Sequence, residues 1–151
     1  MPIECVCRVA IKASPAACFT VLADPAGWHE WARDLDRVDV LDVGRAGRAA
    51  RVRAEVTILG VAQHAVLEVL GEPEAHALRF KSVESVDAAT IAGLVRFLPS
   101  GAITTMDVDV RITLVRPPGA RVERMVSRKI ETALTRDLVR HIERLERSDR
   151  S

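Results

Sequence analysis

Asp137 and His141 stand four residues apart near the end of the chain, within the run "RKIETALTRDLVRHIERLE". On a helix that spacing puts both side chains on one face and lets a carboxylate reach an imidazole. A carboxylate that orients and charges an imidazole makes an acid/base pair, or a polar handle for a ligand's carbonyl or hydroxyl. At about 100° of turn per residue both positions fall inside the apolar stripe marked by Ile130 and Leu134. The plainer reading, which we prefer, is that the helix bends or slides until these two side chains meet a loop or solvent at the edge of the molecule.

The second conspicuous pair is Trp28 and Trp31, in "GWHEWARDLDRV". They are the only tryptophans in a chain with three phenylalanines and no tyrosine. Three residues apart on a helix, they share a face and can both point inward, fastening a short helix over the mouth of a sheet; lining a cavity is compatible with that role. Membrane anchoring is disfavoured, because Glu30, Asp34 and Asp36 would repel an anionic surface and no basic amphipathic face flanks the pair.

Other chemistry-bearing residues read more simply. Cys5, Cys7 and Cys18 are odd in number, and two cysteines two apart on a strand are poorly placed to bond to each other, so reduced thiols are expected. Cys-x-Cys with four scattered histidines has no metal-ligand spacing, and no metal or other cofactor is expected. No phosphate-binding Walker loop, G-x-S-x-G or H-E-x-x-H motif occurs, and "GRAGRAAR" is explained by a hairpin turn. Ser82, Thr104 and Glu84 fall on or near inward positions, where local backbone hydrogen bonds are the expected role. Arg51, Arg53 and Arg111 fall on the wet face.

The elements that position these residues follow from periodicity. Ile3, Cys5, Cys7, Val9 and Ile11 alternate with polar residues as a half-buried strand does. Ser14 then suits an N-cap and Pro15 the first helical position, so a short helix follows. Asp24-Pro25 opens a second one, carrying the tryptophans and closing near Leu35. From Val38 to Leu114 six strands alternate with short turns. The clearest places Thr104, Met106, Val108, Val110, Ile112 and Leu114 on one face and Thr105, Asp107, Asp109, Arg111 and Thr113 on the other. After "RPPG" one helix runs to about Arg147, with Val126, Ile130, Ala133, Leu134, Leu138, Ile142 and Leu145 as its apolar stripe. At about 1.5 Å per residue it can cross a whole small sheet. The expected fold is α+β: a curved seven-stranded antiparallel sheet wrapped around a long C-terminal helix, with two short helices after strand one.

Size and charge bound the function. The 151 residues, 48% hydrophobic and 28% charged, suit a single domain spanning 1–151. No apolar run is long enough to span a membrane, so no stable membrane insertion is expected. The opening "MPIECVCRV" lacks a secretion-signal pattern, which makes the cytoplasm the expected location. With 22 basic and 21 acidic residues, no global field favours nucleic acid.

The element order, together with "IKASPAACFTVLADPAGWHEWARDLDRVDVL" and the closing run quoted above, resembles the START-like superfamily, also called SRPBCC. Within it the chain resembles the polyketide cyclase/dehydrase and coenzyme-Q-binding group. The resemblance covers nearly the whole chain and implies the helix-grip fold, in which sheet and long helix enclose a hollow. That superfamily includes lipid carriers, hormone receptors, quinone binders and aromatase/cyclases. The expected function is therefore binding or carriage of a hydrophobic small molecule, such as a lipid, isoprenoid or polyketide. The expected contacts are Phe19, Trp28, Trp31, Phe80, Val95, Phe97, Met106, Val108, Met125 and Ile130. The alternatives are an aromatase/cyclase or dehydrase drawing on Asp137, His141, Glu84, Ser82 and Thr104, or a protein-interaction module docking through the Trp-bearing helices.

Overall fold

The computed structural model describes residues 3–43, 49–58, 60–83, 90–114 and 119–150. The Gly44–Gly47 turn, Leu59, Glu84 and the prolines of "RPPG" lie outside the described residues. Seven strands form one sheet in the order β1-β7-β6-β5-β4-β3-β2, every neighbouring pair antiparallel. The strands are β1 (Ile3–Ile11), β2 (Leu35–Val43), β3 (Ala49–Ile58), β4 (Val61–Glu72), β5 (Ala77–Ser82), β6 (Thr90–Ser100) and β7 (Ile103–Thr113). Strands two to seven are a meander, and β7 returns to pair with β1. The two edge strands are therefore joined by the short helical segment that follows β1. That segment must cross from one edge of the sheet to the other.

Alternation decides which face is buried. On β7, Thr104, Met106, Val108 and Val110 are buried while Asp109, Arg111 and Thr113 are exposed. On β1, Ile3, Cys5 and Ile11 are buried, while the apolar Val6 and Ala10 fall on the exposed face and do not alter the phase of the pattern. The outer face is fastened by charge. Asp107 of β7 stands opposite Arg8 of β1 and Arg96 of β6. It accepts hydrogen bonds from Arg96 Nη2 at 2.7 Å and Arg8 Nε at 3.4 Å. The Arg96 bond, aided by Arg8, holds the Asp107 carboxyl below its ordinary pKa. Arg51, Arg53 and Arg111 lie on this face too, paired with Glu68, Glu55 and with Glu4 and Asp109.

Helix α1 (Pro15–Leu22) starts as its sequence dictates: Ser14 Oγ accepts from Ala17 N at 3.1 Å, and Pro15 occupies the first turn. The second helical segment differs from expectation. It is a 3₁₀ helix over Pro25–Glu30, and β2 begins already at Leu35. Pro25 and Gly27 within six residues supply little α-helical propensity, and such short pieces close as 3₁₀ turns. Trp28 lies in this helix and Trp31 just beyond it. Trp28 Nε1 donates to the carbonyl of Leu22 at 2.8 Å, which locks the segment to the end of α1.

The closing helix, 120–150, is not a continuous α-helix. It consists of α2 (Ala120–Thr132), a π-helical turn (Ala133–Asp137) and α3 (Leu138–Arg150). Leu138 N–H reaches back five residues to the carbonyl of Ala133. Thr135 Oγ1 meanwhile donates to the carbonyl of Glu131 at 2.7 Å. A threonine hydroxyl bonded back in this way competes with the regular ladder and bends a helix. The extra residue rotates the stripe: Val126, Leu138, Val139, His141 and Ile142 are buried, whereas Leu145, expected in the stripe, is 42% exposed. Ser127 Oγ donates to the carbonyl of Glu4, and Glu143 Oε2 accepts from Lys12 N at 2.8 Å, so the helix is tied to both ends of β1.

Candidate functional site

The closing helix does not fill the space above the sheet. A cavity of about 320 Å³ remains between it, the inner face of β3, β4, β6 and β7, and the residues after Trp31. Its size is that of a small-molecule site. The reason lies in side-chain volume. Ala54 of β3 pairs directly with Ala65 of β4, both border the cavity, and Ala133 of the π turn borders it from the helix. Three small residues meeting across the interface leave a hollow that Ile112, Met125 and Ile130 line but do not close.

Several polar residues also border the cavity. Gln63, two residues along β4 from Ala65 and on the same face, is buried and sits opposite Val56. His64, Thr57 and Asp137 also border the cavity, as do Arg33, Asp34 and Lys129, which are exposed. The cavity therefore has an apolar floor and a charged, solvent-facing rim. Lys129 Nζ lies 3.7 Å from Asp34 Oδ1, a clasp between the closing helix and the segment after Trp31.

Of the ten residues expected to contact a ligand, Met125 and Ile130 border this cavity. Phe19, Trp28, Trp31, Val95, Phe97, Met106 and Val108 lie in the buried core cluster, which also includes the cavity-lining Ala32 and Ala65. Phe80 packs against that core and lies over Gly93, where an added Cβ would come within 2.6 Å of Phe80 Cζ. The physical reason is that a large side chain fills the space it points into, so the hollow survives only where small residues face each other. The tryptophans fasten architecture: both are buried, and the indole N–H of Trp31 finds no acceptor among the described residues.

Asp137 and His141 are not brought together as a pair. Asp137 Oδ1 lies 3.8 Å from Arg136 Nε, on the cavity wall. His141 is buried beyond it: Nε2 is 3.6 Å from Glu30 Oε2, and Nδ1 is 3.1 Å from Arg144 Nη2. The π turn ends between them, and the imidazole ties the closing helix to the 3₁₀ helix. Ser82 and Thr104 bond locally to the backbone: Ser82 Oγ accepts from Ile91 N, and Thr104 Oγ1 donates to the carbonyl of Ala13. Burial pushes the Cys5 thiol up to about 12 and the Cys18 thiol up to about 11, and raises Cys7 as well, so all three are neutral thiols rather than nucleophiles at neutral pH. Among the described residues no group of three His, Cys, Asp or Glu side chains is placed to hold a metal ion.

Sequence reasoning overlooked Gln63, Lys129 and the three cavity alanines. A signal existed for each. Gln63 shares the phase of Ala65, Leu67 and Val69, and Met125, Lys129, Ala133 and Asp137 follow one another at four-residue spacing along a single helix face.

This arrangement can be compared with known proteins. The family model for polyketide cyclase / dehydrase and lipid transport matches residues 4–146. The chain belongs to that family. Solved structures agree with the family fold. A START superfamily protein from Mycobacterium smegmatis superposes with a TM-score of 0.78 at 19% identity, covering 94% of this chain and 98% of that one. The Zhui aromatase/cyclase from Streptomyces gives 0.76 at 17% identity, covering 95% of each chain. A Thermus thermophilus protein gives 0.73 at 22% identity, covering 98% and 99%. No match is found among the curated proteins. At these identities the likeness is one of fold: a START-like helix grip. No described helix is long and apolar enough to cross a membrane.

Proposed function

We propose that this member of the polyketide cyclase/dehydrase and lipid transport family binds or carries a hydrophobic small molecule in the space between the sheet and the closing helix. The observation that carries the reading is the cavity itself. A hollow of about 320 Å³ bordered by Ala54, Ala65, Ile112 and Ile130 is apolar in lining and has the size of small-molecule sites, which supports this reading. An apolar ligand gains free energy there by leaving water, at roughly 25 cal/mol for each Å² buried. Membership of a family described by polyketide cyclase / dehydrase and lipid transport supports the same reading.

A second reading, turnover of a polyketide-like substrate, draws on Asp137 and His64 at the cavity wall and on the aromatase/cyclase among the structural relatives. Proton abstraction beside a carbonyl needs an acid/base pair at the substrate. Here the imidazole of His141 is engaged with Glu30 and Arg144 instead. Binding is accordingly the primary function proposed.

Protein purified from its expression host is expected to carry an apolar compound that solvent extraction and mass spectrometry identify. An extract indistinguishable from a blank, from protein that also takes up no added apolar probe, would contradict the reading.

A further inference from the structure

The cavity rim continues into a groove on the outside of the closing helix. Asp34, Met125, Lys129 and Asp137 belong to both walls, and the groove adds Arg121, Arg124 and Arg128. Those arginines stand at i, i+3 and i+7, so one face of α2 presents four cations beside an apolar hollow. The two carboxylates there are already engaged: Asp34 lies beside Lys129 at 3.7 Å, and Asp137 beside Arg136 at 3.8 Å. Among the described residues, Arg121, Arg124 and Arg128 have no acidic partner.

This arrangement works against the helix that carries it. Like charges at i, i+4, as Arg124 and Arg128 are, repel. Arg121 also sits in the first turn of a helix beginning at Ala120, the end where the backbone dipole is positive and a cation is unfavourable, although Glu123 shares that turn. An anion placed in the groove would relieve both effects. The outer face of the sheet shows the contrast, since Arg8, Arg51, Arg79, Arg96 and Arg111 each have an acidic partner.

Resting on the binding function proposed above, we infer that the ligand is an acidic amphiphile. Its apolar body lies in the cavity and its anionic head group, a carboxylate or similar oxyanion, sits at the rim against Lys129, Arg124 and Arg128. Polar atoms inside would set orientation and the cationic rim would set head-group preference.

The test is calorimetric titration at low ionic strength with decanoate and with decanol, which share a chain and differ in head group. Decanoate is expected to bind roughly ten-fold more tightly than decanol, as a charge-assisted contact requires. Added salt should shrink that advantage. In the double variant Arg124→Gln, Arg128→Gln, whose residues do not border the cavity, the advantage should shrink several-fold while decanol binds as before, which also shows that the variant is folded. Equal affinity for the two probes, or an advantage untouched by the double variant, would overturn the head-group inference while leaving the carrier function standing. Acetate binding as tightly as decanoate would overturn it too, by separating the anion site from the cavity. Failure of both chain-bearing probes to bind would remove the carrier function itself, and the head-group inference with it.

Discussion

Replacing Ala133 with tryptophan is expected to abolish uptake of an uncharged apolar probe, weakening it by roughly 100-fold or more, because the indole would occupy the space the ligand needs. Ala133 is half-buried at the start of the π turn and borders the cavity. The new ring would enter an existing hollow rather than displace packed neighbours. The usual cost of overpacking, about 1–3 kcal/mol, should therefore be largely avoided, leaving a loss of about 1 kcal/mol or less. Thermal melts separate the two effects. Saturating decanol should raise the midpoint of the wild-type protein, by linkage worth about 2.7 kcal/mol at a hundred times the dissociation constant. It should leave the midpoint of the variant unchanged. A variant that melts normally and still binds decanol would place the ligand elsewhere.

Phe97→Ala should have the opposite signature. Phe97 is 1% exposed on β6, stands opposite Met106 of β7, and belongs to the core cluster rather than to the cavity wall. Its truncation is expected to cost about 3–5 kcal/mol in unfolding free energy, measured by urea denaturation. That is a large share of the 5–15 kcal/mol typical of a domain. The molecules that remain folded should bind decanol with wild-type affinity. A marked change in affinity with little loss of stability would assign Phe97 to the site after all.

These two substitutions mark the limit of what periodicity reveals. The alternation of Thr104 to Thr113 and of Ile3 to Ile11 is enough to orient β7 and β1, and a helix long enough to cross the sheet is legible from Val126 to Ile142. The π turn in that helix is not, because it depends on one hydroxyl, Thr135, choosing the carbonyl of Glu131. The 3₁₀ helix that carries Trp28 is likewise decided by a proline and a glycine in a short segment. The cavity was the least legible feature of all. Pattern shows which residues face inward but not which of them meet, and attention falls naturally on Trp31, Phe80 or Met106. The hollow lies instead where Ala54, Ala65 and Ala133 converge, a fact of strand register and helix placement. Asp137 and His141 illustrate the same limit in polar form. Four-residue spacing puts both on the inner half of the helix, yet the π turn ending at Asp137 leaves one at the cavity wall and the other against Glu30.

The most direct test of the central claim is calorimetric titration of delipidated wild-type protein with decanol at several temperatures. A ligand seated between the sheet and the closing helix predicts saturable binding of one molecule per chain, with a negative heat-capacity change from burial of apolar surface. Unsaturable uptake, a stoichiometry of several molecules per chain, or no heat-capacity change would contradict it.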